Sequence, residues 1–506
     1  MQPNILVILC DQLRKDFLSC YGGTVCNTPN LDALAAKSVC FTNAITASPV
    51  CAPARASMMT GRYVSDHGVW TNDMPFREGV DYLPQRMNRA GYRTGAFGKL
   101  HHFPAKDGKG FSTYALMEEN RLGDKDDYFQ WLRARHPEIR GVFTCKKDGG
   151  FAFAEDEYYE HWIADRAIDF IAEDKDAPYF AWISFQGPHT PLDPPGDCDR
   201  QRKVPPARYP NYKSGCDVPD YRSASIYGEC DELYARNYRQ RYCQLIEAID
   251  KQIGRVLEQA QNTARGRETM ILFSADHGDM CGDLGHYQKG PMPYSAQLEI
   301  PLLLYGCGGE NTICDCPVSN LDIGATILQA AGDDAPFGVS RSLNDAIKGG
   351  ETARKSVFSE FCDSVKIVDT GRWRLAYYPF TGQSQLFDKT LPNYEARNLA
   401  VDSEYALIRC ELLQQIIDYM ITAHEVHIEA QDLVPSVQAG LRNKLPNFMN
   451  QIPLAFPLQT QAHRLRLRTA GLDADYNEFC KGRDIQRHYG VYWNEDGQEK
   501  HNEDEA

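Results

Sequence analysis

The sequence predicts an α/β fold. A mostly parallel central sheet is sandwiched by helices, and a smaller C-terminal α+β subdomain follows with a four-stranded antiparallel sheet. Three runs predict it. NILVILCD (4–11), PYFAWISFQGPH (178–189) and TMILFSADHGD (269–279) are continuous apolar stretches, the pattern of strands buried on both faces. Stretches of helical spacing lie between them, and that alternation favours a parallel sheet.

Taken in order, TPNLDALAAKSVCF (28–41) reads as a helix started by Thr28-Pro29. GYRTGAFGKL (91–100) reads as a short strand and loop. HWIADRAIDFIAED (161–174) and the stretch 234–260 carry apolar residues three and four apart and read as amphipathic helices. SNLDIGATILQAAG (319–332) is a helix closed by a glycine. KSVFSEF, VKIVDTGRWRLAYYP and QSQLFDK are short strands with turns, and 403–424 is a helix. The expected division is 1–355 for the catalytic unit, 356–430 for the antiparallel subdomain and 431–506 for an extension. Within the extension, LPNFMNQIPLAFPL (445–458) is apolar and broken by prolines, so a contact with a neighbouring subunit is expected there.

Composition narrows the function. The 506 residues are 42% hydrophobic and carry a formal net charge of -15, which argues against a nucleic-acid-binding face. A small anionic substrate remains compatible through a local basic pocket. The 17 cysteines form no zinc-like CxxC pairs. No 18-residue apolar run predicts a membrane span. The first residues read as a strand rather than a signal peptide, so the expected location is the cytoplasm, or the periplasm or exterior if a signal peptide has been removed.

The apolar runs end in Asp11-Gln12, Gly187-Pro188-His189 and Asp276-His277. In open α/β sheets the ligand crevice lies at the carboxyl ends of the strands. Singly, each of these residues suits a cap or a turn. Jointly, Asp11, Gln12, Asp276 and His277 offer oxygen and imidazole donors to one divalent cation, with calcium, magnesium or manganese favoured. In SPVCAPARASMMTGRY (48–63), Cys51 stands at a helix entrance beside Pro53, with Arg55 one turn on. Helix N–H groups and a guanidinium there suit an anion. By itself Cys51 equally suits a buried capping residue, and no neighbouring base activates a plain thiol.

CAPARASMMTG (51–61) resembles the signature of the type I sulfatases, the formylglycine-dependent branch of the alkaline-phosphatase superfamily. PNILVILCDQ, GKLHH, GPHTPLDPP, SADHGDMCGDLGHYQKG, LEIPLLLY and QLFDKTLPNYEARNLA resemble further blocks of that family in the same order, over roughly residues 3 to 425. The resemblance implies hydrolysis of a sulfate monoester. It implies that Cys51 is converted by a formylglycine-generating or anaerobic sulfatase-modifying enzyme to formylglycine (3-oxoalanine), whose hydrated form attacks the ester. It implies that Asp11, Gln12, residue 51, Asp276 and His277 hold the metal, usually Ca2+, with Mn2+ or Mg2+ as alternatives. Arg55 would position the nucleophile. Lys99, His189 and Lys289 would bind the sulfate oxygens, and His101 would act as a base when sulfate leaves. His67, Asn72 and Asp73 would line the leaving-group pocket, although Asn72 and Asp73 equally suit a polar turn.

Gln12 and His277 depart from the Asp-Asp and Asp-Asn of many sulfatases and resemble the phosphonate monoester and phosphodiester hydrolases of the same superfamily. Lys99 and His101 favour the sulfatase reading. HGVWTND resembles carbohydrate sulfatases, so a sulfated sugar is the expected substrate, with choline or aryl sulfate next. A non-catalytic binding protein that keeps the fold is the remaining class.

Overall fold

The computed structural model describes residues 2–422, apart from 78, 120, 147–149, 174–175, 197–198, 200, 210–231, 264–267, 351–352, 363 and 380. The tail 431–506 and its 445–458 stretch lie outside the described residues.

Ten strands come first in the chain: β1 (Asn4–Asp11), β2 (Ser38–Phe41), β3 (Ala44–Ile45), β4 (Arg93–Gly98), β5 (Thr113–Leu116), β6 (Tyr179–Pro188), β7 (Thr269–Ala275), β8 (Leu302–Tyr305), β9 (Thr312–Cys314) and β10 (Val318–Ser319). Eight of them form one sheet in the order β5-β4-β6-β1-β7-β8-β2-β9, and β3 pairs with β10 apart from it. Every neighbour pair of the sheet is parallel except those made by β8. Each residue of β1 and β6 is buried, so both faces of the sheet centre are covered, as their unbroken apolar runs require. The helices Tyr159–Ala172 and Glu232–Asn262 pack on one another, the first also against β4 and β6 and the second against β6.

The segment 28–41 departs from expectation. Only Pro29–Ala35 is helical, and Ser38–Phe41 is a strand. Its antiparallel ladder with Leu303–Tyr305 buries Val39 and Phe41, and that pairing overrides the helical spacing. The short strands β5 and β9 were not legible either, since their residues are largely exposed and carry no apolar run.

Beyond these lie β11 (Val357–Phe361), β12 (Val365–Asp369), β13 (Trp373–Tyr378) and β14 (Gln383–Asp388), a four-stranded antiparallel sheet in chain order. The helix Ala406–Thr422 covers one face through Leu412 and Ile416, which pack with Val368, Leu375 and Leu386. The other face, with Phe361, Val365, Ile367 and Tyr378, packs onto Val50 and Leu298. The small sheet therefore presses on the residue immediately before Cys51. Among the described residues, no helix is long and apolar enough to cross a membrane.

Candidate active site

The helix Cys51–Thr60 is buried at every position. Ala52, Ala54 and Ala56 allow close packing, and Gly61 ends the helix with φ at 65°, where a Cβ would collide with the Phe337 carbonyl oxygen. Before the helix, Asn320 ties the chain to the end of β7. Its Oδ1 accepts from Ala47 N at 2.9 Å, and its Nδ2 donates to Thr46 Oγ1 at 3.1 Å and to the Asp276 carbonyl at 3.3 Å.

These elements bring Cys51 to the carboxyl ends of β1 and β7. One donor atom from each of Asp11, Cys51, Asp276 and His277 lies within 4.8 Å of the others, and all four residues are buried. His277 Nδ1 lies 2.9 Å from the Gly278 carbonyl and donates to it, which leaves Nε2 as the lone-pair nitrogen, 3.1 Å from Cys51 Sγ. Burial pushes His277 below its ordinary value, so the imidazole is neutral, as a ligand must be. Two carboxylates and one neutral imidazole at this spacing fit a divalent cation.

Cations ring the same point. Arg55 Nε donates to Asp276 Oδ2 at 2.8 Å, and its two terminal nitrogens reach Asp11 Oδ2 at 3.3 Å, Ser184 Oγ at 2.7 Å and the Lys99 carbonyl at 2.5 Å. Lys99 Nζ sits 2.6 Å from Asp11 Oδ2 and 2.7 Å from Glu119 Oε1. Lys289 Nζ sits 2.8 Å from Cys51 Sγ and 2.7 Å from Gln12 Oε1. Burial alone would raise the Asp11 carboxyl, but Lys99, His189 and Arg55 outweigh it and hold the group well below the usual carboxylate range. Burial would lower Lys99, and Asp11 with Glu119 holds it above its ordinary value instead.

The sulfatase family model matches residues 3–333. The chain belongs to the sulfatase family. The sulfatase is 29% identical over 457 residues to an arylsulfatase of Clostridium perfringens, which covers 82% of this chain and 94% of the relative. It is 26% identical over 434 residues to an ulvan-active sulfatase of Formosa agariphila, covering 81% of this chain and 80% of that protein. In fold it is similar to a phosphonate monoester hydrolase from Silicibacter pomeroyi, with a TM-score of 0.73, 23% identity and coverage of 84% of this chain and 96% of that one.

Other expected site residues of the sulfatase fall at varied places. His189 is partly buried at the end of β6, with Nδ1 2.6 Å from the Thr190 carbonyl and 3.5 Å from Glu119 Oε1. His101 is buried, and neither ring nitrogen has a hydrogen-bond partner among the described residues. Burial and Arg121 push it well below its ordinary value. Asn72 Oδ1 accepts from Ala52 N at 3.2 Å, on the first turn of the Cys51 helix. Asp73 pairs with Arg121 at 2.6 Å. His67 is not brought to the cation cluster. Its Nδ1 accepts from Val69 N at 3.0 Å, and its Nε2 faces Ser57 Oγ at 3.1 Å, so the ring braces the helix from behind. Burial takes it down to about 3.

Sequence reading missed several supports. Asp279 receives Gln12 Nε2 at 2.5 Å and Tyr238 Oη at 2.6 Å, which turns Gln12 Oε1 toward Lys289. Asp279 was legible only as one more polar residue after β7. Glu160, on the helix Tyr159–Ala172, receives Gly187 N at 2.5 Å and Gln186 N at 3.2 Å and so fixes the end of β6. Burial pushes Glu160 from 4.5 up to about 8. A raised folded pKa gives stability that is complete below the unfolded pKa and is lost as pH rises through the folded one. Urea unfolding between pH 5 and 8 is therefore expected to show falling stability, and Glu160→Gln is expected to flatten that slope. An unchanged slope in the variant would remove Glu160 from the account.

Proposed function

We propose that the sulfatase releases inorganic sulfate from a sulfate monoester of a carbohydrate, with residue 51 acting as formylglycine. The observation that carries this reading is the sealed thiol at a helix N-terminus, facing two strand-end carboxylates and His277 and ringed by Arg55, Lys99 and Lys289. Asp11, Gln12, residue 51, Asp276 and His277 would hold a divalent cation, calcium first and manganese or magnesium as alternatives. When bound, the cation supplies Lewis-acid chemistry that favours the ionised nucleophile.

The side chains divide the remaining work. Lys99, His189 and Lys289 bind the sulfate oxygens and stabilise charge that grows in the transition state. Arg55 orients residue 51 through the two carboxylates it bridges. Neutral His101 can take a proton at a ring nitrogen as sulfate departs. Asn72 and Asp73 flank the alcohol side. A sugar alcohol is favoured by the polar Thr71-Asn72-Asp73 run and by the likeness to an ulvan-active sulfatase. Conversion of Cys51 requires a modifying enzyme as partner.

A phosphonate monoester or phosphodiester hydrolase is the second reading, favoured by Gln12 and His277 at the metal group. The two readings separate on a panel of aryl, choline and carbohydrate sulfates set against a phenylphosphonate ester. The expected result is sulfate release at the higher kcat/KM. Fast phosphonate turnover with no sulfate released would overturn the first reading. Mass spectrometry of the peptide containing residue 51 would report its conversion.

A further inference from the structure

Glu118, Glu119 and Arg121 carry no motif, and the family resemblance gives them no role, yet they hold three groups assigned to the reaction. Glu118 is fully buried. Its Oε1 accepts from Leu100 N at 2.6 Å and from His101 N at 2.9 Å, and its Oε2 lies 3.2 Å from His101 N. Arg121 donates to Glu118 Oε2 at 2.7 Å, to the His102 carbonyl at 3.1 Å and to Asp73 Oδ1 at 2.8 Å. One guanidinium thus spans the loop at 73, the loop at 100–102 and its own segment. Glu119 accepts from Lys99 Nζ and Gln186 Nε2, each at 2.7 Å.

His101 needs such support. Its φ is 57°, a left-handed conformation that side chains with a Cβ rarely adopt. Its ring makes no hydrogen bond that could anchor it among the described residues. The backbone is therefore what sets the ring's place. That backbone donates to Glu118, and Arg121 holds Glu118.

We propose that Glu118 and Arg121 are positioning residues for the hydrolysis: they lock the left-handed turn at His101 and so hold its unpartnered ring in place for proton transfer, with Asp73 as the outer anchor. The proposal rests on the reading of His101 as the proton carrier. It also gives Asp73 a task other than touching the leaving group.

A double-mutant cycle between Arg121→Ala and His101→Ala tests it, read as kcat on a sulfate ester the enzyme turns over, with thermal melting as the check on folding. Arg121→Ala is expected to lower kcat about 100-fold while KM stays within about threefold. In the His101→Ala background the same change is expected to lower kcat by less than about twofold, because the two act as one unit. Losses that simply multiply would overturn the proposal. Arg121→Lys keeps the charge without the planar fork and serves if the alanine variant does not fold. It is expected to lose kcat as the alanine variant does, and a wild-type kcat there would overturn the proposal. If His101→Ala keeps full kcat, the reading of His101 falls and the proposal falls with it. If His101→Ala is slow while Arg121→Ala is not, that reading stands and only the positioning role falls.

Discussion

Cys51→Ala is expected to lose sulfate release by about 10⁵-fold or more, since removal of a covalent nucleophile leaves only binding and electrostatic contributions. The fold is expected to survive. The lost thiol is fully buried, and its removal costs on the order of 1–2 kcal/mol by the usual cavity arithmetic. Lys289 keeps Gln12 Oε1 at 2.7 Å, and Asp276 keeps Arg55 at 2.8 Å. A sulfate-release assay beside a urea unfolding curve checks both halves. An alanine variant of unchanged rate would sink the assignment of residue 51.

Arg55→Ala is expected to damage both stability and rate. The guanidinium is the shared counter-charge of Asp11 and Asp276, and all three side chains are at most 1% exposed. Its removal leaves Asp276 without its guanidinium and Asp11 with Lys99, an effect of about 3–5 kcal/mol when one partner of a buried pair is lost. It also frees the Lys99 carbonyl and Ser184, so the loop that carries Lys99 loses its tie to the Cys51 helix. Arg55→Lys restores the charge but not the four-point fork, and it is expected to recover part of the stability and little of the rate. Denaturant unfolding of the three proteins, with rates on one sulfate ester, provides the measurement. A lysine variant of full activity would reduce Arg55 to a bare counter-charge.

The strand ends were the legible part of the site. NILVILCD and TMILFSADHGD each announce a strand buried on both faces and then stop at a carboxylate, and the parallel pairing of β1 with β7 brings those carboxylates together. Cys51 was legible from its helix entrance and from the motif around it. The partners of His67 were not legible: it lies just past the Cys51 helix, and Ser57 and Val69 engage its two ring nitrogens. Glu118 and Arg121 were not legible because the groups they hold, from Asp73 to His101, lie 17 to 48 residues away and are met only after folding. The strand Ser38–Phe41 was hidden for the same reason, since its pairing partner is Leu303–Tyr305.

The burial of Cys51 also sets a clock. Its thiol faces His277, just past β7, and Lys289, and the small sheet that packs on the neighbouring Val50 begins only at Val357, so more than half of the chain is synthesised before the thiol can be enclosed. Ribosomes add roughly 5–20 residues per second, so the stretch from residue 51 to residue 276 takes about 10–45 s to emerge. On the formylglycine reading proposed above, a modifying enzyme would have that interval to reach SPVCAPARASMMTGRY as an extended, unguarded segment. In the folded chain the thiol is 0% exposed. On that reading, competition between folding and modification would fix what fraction of molecules becomes active, and slower translation past residue 51 would raise it.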